Sequence, residues 1–171
     1  MVEKIDSFNI TEDTKIVILG TFPGKKSLDT GKRGQYYSNP TNQFWKLLGI
    51  ETTDYEERLA KLKEMKIGLW DVLNNACGRK DSADKNIKNV KETDYTDWEC
   101  LKSKVIFFNG KKARKFYDKA IEKGWREPLN IQCDFLPSSS AANRKISKEL
   151  REQAWNEVIK LSKKLKQQGI K

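Results

Sequence analysis

Short apolar runs alternate with amphipathic stretches along this chain. Residues 15–19 contain Ile16-Val17-Ile18-Leu19 and read as a fully buried strand. Residues 67–72 and 104–108 repeat that pattern, and 129–136 supply a fourth strand. Helical spacings lie between them. Residues 42–48 put Phe44, Leu47 and Leu48 on one side, and a Thr53-x-x-Glu56 capping box opens the next helix, with Tyr55, Leu59 and Leu62 in step. Residues 111–123 carry an apolar face of Ala113, Phe116, Tyr117, Ala120 and Ile121, ended by Gly124. The last helix, capped by Ser147, sets Leu150, Ala154, Val158, Leu161 and Leu165 in a buried stripe. Residues 78–97 are polar and weakly patterned, a loop with a short helix.

Strands separated by helices imply an α/β fold with a largely parallel four-stranded sheet covered on both faces. At 171 residues, with no repeat, low-complexity segment or linker, residues 1–171 form one domain. Ligands of such sheets sit outside the carboxyl ends of the strands. Three of those ends run into unusual loops: GTFPG after the first strand, FFNG after the third and LPSSSAANRK after the fourth. If these strands are neighbours, the three loops share one crevice.

The formal net charge of +10, from 34 Lys+Arg against 24 Asp+Glu, favours a polyanionic partner. The bland alternative is a surface rich in lysine, and the lysines are spread over the whole chain. The chain has no histidine, which removes Ser–His–Asp and Cys–His catalysis and most zinc hydrolases. Cys77, Cys100 and Cys133 lie far apart without a C-x-x-C pair, so neither an iron–sulfur cluster nor structural zinc is expected. They read as reduced, mostly buried thiols of a cytosolic protein. No signal region or membrane-length apolar run is visible, and a cytoplasmic, soluble protein is expected, with no cofactor or metal.

Each loop has a plain reading and a chemical one. GTFPG is an ordinary strand-to-helix turn, or a turn whose exposed amides are aimed at developing negative charge. In YYSNPTNQFW the aromatics Tyr36, Tyr37, Phe44 and Trp45 can all be core. Asn39 and Asn42 beside them favour a nucleobase, because a carboxamide offers both donor and acceptor to a base edge, and Phe44 is the expected stacking platform. Asn109 reads as an N-cap for the helix that follows, or as a bidentate reader of a base. Lys111, Lys112, Arg114 and Lys115 form that helix's solvated face or a cationic patch. Ser138, Ser139, Ser140, Arg144 and Lys145 are a polar turn or a clamp on a phosphate backbone.

The ordered segments GTFPGKKSL, YYSNPTNQFWKLLG, GLWDVLNNACGRKDSADKNI, FFNGKKA and LPSSSAANRKIS resemble the hypoxanthine-DNA glycosylases of the uracil-DNA glycosylase superfamily. NPTNQFWKLLG is also similar to the mismatch-specific uracil glycosylases. The resemblance implies a three-layer α/β/α fold around a small, mainly parallel sheet. It implies a monofunctional, metal-free enzyme that flips a deaminated base from double-stranded DNA and hydrolyses its N-glycosidic bond. A single domain of this kind would act as a monomer at the nucleoid. By position, Gly20, Thr21 and Phe22 meet the base, Asn42 is the catalytic asparagine, Phe44 stacks and Asn109 reads the base. Lys25, Pro137, Ser138, Ser139, Ser140, Asn143 and Arg144 fall to the DNA strand. Phe22 stands where many superfamily members carry an acidic residue or asparagine that activates water, as is typical of the hypoxanthine branch. Asn39 replaces the usual histidine and Ala141 the usual proline.

Two other classes compete: a nucleic-acid binder on the same scaffold with little catalysis, and a nucleotide-metabolising α/β enzyme with GTFPG as a phosphate cradle. The second lacks the G-x-x-x-x-G-K-[ST] spacing and a magnesium carboxylate pair. Asp71 and Asp84 are acids whose place relative to the site the sequence does not give.

Overall fold

Strand β1 (Ile16–Gly20) is buried at every residue, as a strand covered on both faces must be. It lies between β2 (Ile67–Asp71) and β3 (Val105–Phe108), and β4 (Asn130–Ile131) closes the far edge. All three pairings are parallel, so the sheet order β2-β1-β3-β4 requires crossovers. The computed structural model describes residues 10–22, 35–74, 87 and 89–169. Pro23, Gly24, Lys25, Cys77 and Asp84, and half of the polar stretch expected at 78–97, lie outside the described residues.

Alternate strand residues feed two cores. Val17, Leu19, Trp70, Ile106 and Phe108 face one side, packed by α3 (Lys111–Glu122) through Ala113, Tyr117 and Ala120. Ile16, Ile18, Ile67, Leu69 and Phe107 face the other. There they meet α1 (Phe44–Leu47), α2 (Tyr55–Glu64) and α4 (Lys148–Gln168) through Phe44, Trp45, Leu62, Trp155 and Val158. The result is the expected three-layer α/β/α arrangement.

Several local expectations are corrected. The fourth strand is two residues long, not eight. At the sheet edge it has one partner strand, its following residues Gln132, Asp134 and Phe135 are exposed, and pairing resumes only as a single Asn109–Leu136 bridge. The N-cap of α2 is Asp54, whose carboxylate accepts from Glu57 N at 2.9 Å, one residue later than the Thr53 box. Leu150 is 57% exposed; the buried stripe of α4 keeps the expected Val158, with Leu161 and Leu165 partly buried, and runs also through Arg151, Trp155 and Ser162. Two polar residues can occupy it because each finds a carbonyl: Arg151 that of Asn143, Ser162 that of Met65. The Ser147 cap is present, accepting from Leu150 N at 3.2 Å. Cys100 is exposed, contrary to the expectation of mostly buried thiols, and Cys133 is half-buried. Partial burial pushes both thiols up, which keeps them protonated.

Candidate functional site

The chain runs from β1 to β2 on one side and then crosses to β3 on the other, so the connections diverge at the carboxyl ends of β1 and β3. Such a switch point leaves a crevice there. Gly20 ends β1 on one flank, and Asn109 follows β3 on the other, its N–H donating to Leu19 O at 2.9 Å.

Asn109 is not the helix cap. Gly110 takes the N-cap position of α3, with φ 96°, a conformation open to glycine. A methyl at Gly110 would also press within 3.2 Å of Ser138 Cβ, so the glycine lets the serine loop come close. The Asn109 side chain is thereby released toward the crevice. Its Nδ2 donates to Ser139 Oγ at 2.8 Å and Tyr37 Oη at 3.0 Å, while its Oδ1 accepts from Ser139 N at 2.9 Å.

Tyr37 connects this carboxamide to the aromatic segment. Its ring lies face to face on Phe44, with centroids 3.9 Å apart and planes 13° apart. Phe44 is 0% exposed, and the edges of Trp45 and Trp155 pack against it at 5.0 and 5.6 Å. Tyr37 has φ 53°, a left-handed conformation costing a bulky residue on the order of 1–3 kcal/mol. The backbone around it is tied down: Tyr36 N donates to Tyr55 Oη, and Trp45 Nε1 donates to Tyr37 O, both at 3.1 Å.

Asn42 precedes α1 and accepts from Phe44 N at 2.9 Å, so it orients the helix that carries the ring. The next residue, Gln43, donates its N–H to Ser139 O at 2.9 Å. Asn39 lies just upstream, its side chain accepting from Thr41 N and Thr41 Oγ1. The aromatic segment, the FFNG turn and the serine loop therefore meet, with Ser139, 1% exposed, as their common partner. Of the three strand-end loops expected to share the crevice, FFNG and the serine loop join there, and the end of β1 meets FFNG through Leu19 O.

The remaining residues of that loop hold one another. Ser138 Oγ accepts from Ser140 N, Ser140 Oγ from Ala142 N, and Asn143 Nδ2 donates to Ser138 O. Helix α4 fixes the loop from below, with Trp155 Nε1 donating to Pro137 O at 2.8 Å and Arg151 reaching Asn143 O and Gln43 Oε1. Arg144 and Lys145 are exposed beyond it, as are Lys111 and Lys112 after Asn109. Arg114 is different: it bonds Asp118 at 2.8 Å and lies over Phe108 and Tyr117.

Gly20, Thr21 and Phe22 are all buried. The carbonyls of Gly20 and Thr21 accept from Val72 and Leu73, and Phe22 joins the α3-side core. The Thr21 hydroxyl is buried with no hydrogen-bond partner among the described residues. The sequence could not place Asp71, the one acid closing an otherwise apolar strand. It is buried at the end of β2 and accepts from Tyr36 Oη at 3.2 Å. Burial, then the Asp71 charge, hold the Tyr36 phenol well above its ordinary range, so it remains the donor. A methyl at Gly20 would sit 2.8 Å from Asp71 Oδ1 and 3.5 Å from Tyr37 Oη. Gly20→Ala is expected to displace the Asp71 carboxylate while only touching Tyr37, at about 1–3 kcal/mol in denaturant unfolding.

Among the described residues no group of three or more His, Cys, Asp or Glu is placed to hold a metal ion. What the crevice offers is a flat aromatic wall, a carboxamide and a buried hydroxyl, which is equipment for a planar polar ring.

The model of the uracil DNA glycosylase superfamily matches residues 8–159. The chain belongs to that superfamily. Among its superfamily relatives, a protein named hypoxanthine DNA glycosylase from Methanosarcina acetivorans is 36% identical over 159 residues, 88% of this chain and 94% of the relative. One of the same name from Methanosarcina barkeri is 34% identical over 162 residues, with the same coverage. The solution NMR structure of a Methanosarcina acetivorans protein, provisionally named a uracil DNA glycosylase, superposes with a TM-score of 0.72 at 32% identity, covering 95% of this chain and 98% of that one. The superfamily assignment agrees with the resemblance read from the five ordered segments.

Proposed function

We propose that this superfamily member is a DNA repair glycosylase that releases hypoxanthine from deoxyinosine in double-stranded DNA. It hydrolyses the N-glycosidic bond as a monofunctional enzyme, acting as a monomer on cytoplasmic DNA. The observation that carries the reading is the Phe44–Asn109 pair. One flat guest, now the Tyr37 ring, is stacked by the first and hydrogen-bonded by the second. Two relatives named hypoxanthine DNA glycosylase, each matched along nearly their whole length, support the choice of base.

In this reading the everted base takes the slot above Phe44. Asn109 Nδ2–H donates to its carbonyl O6, in place of the Tyr37 oxygen that now accepts it. As the C1′–N9 bond breaks, its electron pair moves onto the base, and the Asn109 donor stabilises the charge that develops at O6. Asn42 holds the water that attacks C1′, whose proton leaves with the neutral base. Unstacking costs a few kcal/mol and least at a mispaired lesion, which favours deaminated sites. Lys25, Ser138, Ser140, Asn143 and Arg144 hold the strand backbone, and Pro137 and Ser139 shape the loop that presses on it.

The test is a panel of duplexes holding one hypoxanthine, uracil, xanthine or mismatched thymine, incubated with protein and then treated with alkali. Strand breaks should be fastest at hypoxanthine. Faster breaks at uracil would favour the mismatch-specific reading, and binding without breaks at any lesion would reduce the protein to a binder.

A further inference from the structure

Tyr37 meets, at once, the contacts that the proposed function assigns to the substrate. Its ring is planar and stacked on Phe44 at 3.9 Å, and its one polar oxygen accepts the Asn109 Nδ2 hydrogen at 3.0 Å. That oxygen also lies 3.5 Å from the position a Gly20 methyl would occupy, so it reaches the backbone at the end of β1. A ring and an exocyclic oxygen held by a stack and a carboxamide is how a 6-oxopurine would be held.

We infer that Tyr37 is an internal surrogate for the everted base, filling the slot until a flipped nucleotide displaces its ring. This rests on the proposed base-excision reading. Three features make the residue suited to yielding. The backbone on either side is fixed, by Tyr36 N to Tyr55 Oη and by Trp45 Nε1 to Tyr37 O, so the ring can turn about its own side-chain bonds without moving the loop. The residue is only half-buried, so its ring is not locked inside the core. Ser139 keeps its own two bonds to Asn109, so the carboxamide stays oriented after the phenol leaves. Every base must therefore compete with a tethered ligand, which lowers the apparent affinity by the fraction of molecules with the slot open. Bases held well in a duplex lose that competition, while a mispaired hypoxanthine wins it.

Two measurements test the inference. In wild-type protein carrying 3-fluorotyrosine, the Tyr37 signal, assigned by its loss in Tyr37→Phe, should shift toward the solvent value. The trigger is a duplex with one non-cleavable 2′-fluoro-arabino-deoxyinosine, and the matched undamaged duplex should leave the signal in place. A signal unmoved by saturating lesion duplex overturns the inference. In the second, inhibition of excision by free hypoxanthine should tighten at least about tenfold in Tyr37→Ala, with Tyr37→Phe between it and wild type. Unchanged or weaker inhibition in a folded Tyr37→Ala also overturns it. The two claims fail separately: a wild type that cuts deoxyinosine DNA without moving Tyr37 refutes the surrogate alone, whereas a wild type that cuts no lesion refutes the base-excision reading and the surrogate with it.

Discussion

Base release by Asn42→Ala should fall by at least about a hundredfold, the loss expected when one oriented polar group at a reacting centre is removed. Binding to a lesion duplex should change little. The structure adds a second effect. Asn42 Oδ1 accepts from Phe44 N at 2.9 Å, so the alanine variant also loses a helix-end bond, at about 0.5–2 kcal/mol. Asn42→Ser separates the two roles, because a serine hydroxyl can accept the same N–H but cannot hold a water as the carboxamide does. Stability should return in the serine variant and excision should not. Single-turnover excision at saturating enzyme, with urea unfolding beside it, makes the distinction. A serine variant that recovers the wild-type rate would reduce Asn42 to a cap.

The other large effect is expected at Asn109. In Asn109→Asp the carboxylate can still accept from Ser139 N, and the hydroxyls of Ser139 and Tyr37 can turn their hydrogens toward it. The fold should hold. The base carbonyl, however, would face an acceptor in place of a donor, and hypoxanthine excision should fall at least about a hundredfold. Asn109→Ala removes all three bonds and leaves the Ser139 N–H, in a residue only 1% exposed, without its partner, at about 1–3 kcal/mol. The signature is a variant that is stable yet slow beside one that is both unstable and slow. An aspartate variant excising at the wild-type rate would show that Asn109 organises loops and does not read the base.

Much of this architecture is legible from residue order. Strands β1, β2 and β3 fall where their apolar runs stand, since a strand buried on both faces needs no partner information to be seen. The convergence of loops follows from strand-end geometry once β1 and β3 are neighbours. The register of α4 was not legible, because periodicity ranks Leu150 above Arg151, and only the Asn143 and Gln43 oxygens make a buried arginine acceptable. That Asn109 does not cap the helix turned on Gly110, whose positive φ no pattern announces. Nor could adjacent tyrosines be told apart. Tyr36 goes down to Asp71 and Tyr37 across to Phe44 because the backbone between them turns left-handed, a decision taken by tertiary contacts.

Phe44 has two kinds of neighbour: a face covered by a ring on a half-buried residue, and T-shaped contacts with Trp45 and Trp155 within the sheet's own core. In the proposed reading, the base platform is thus cast in the same block as the last helix, which limits how far it can yield to an ill-fitting visitor. For a sentinel that must inspect vast numbers of sound nucleotides to find a rare altered one, stiffness of that kind is a form of discrimination. A softer hydrophobic interior would cost this protein its judgement before it cost the protein its shape.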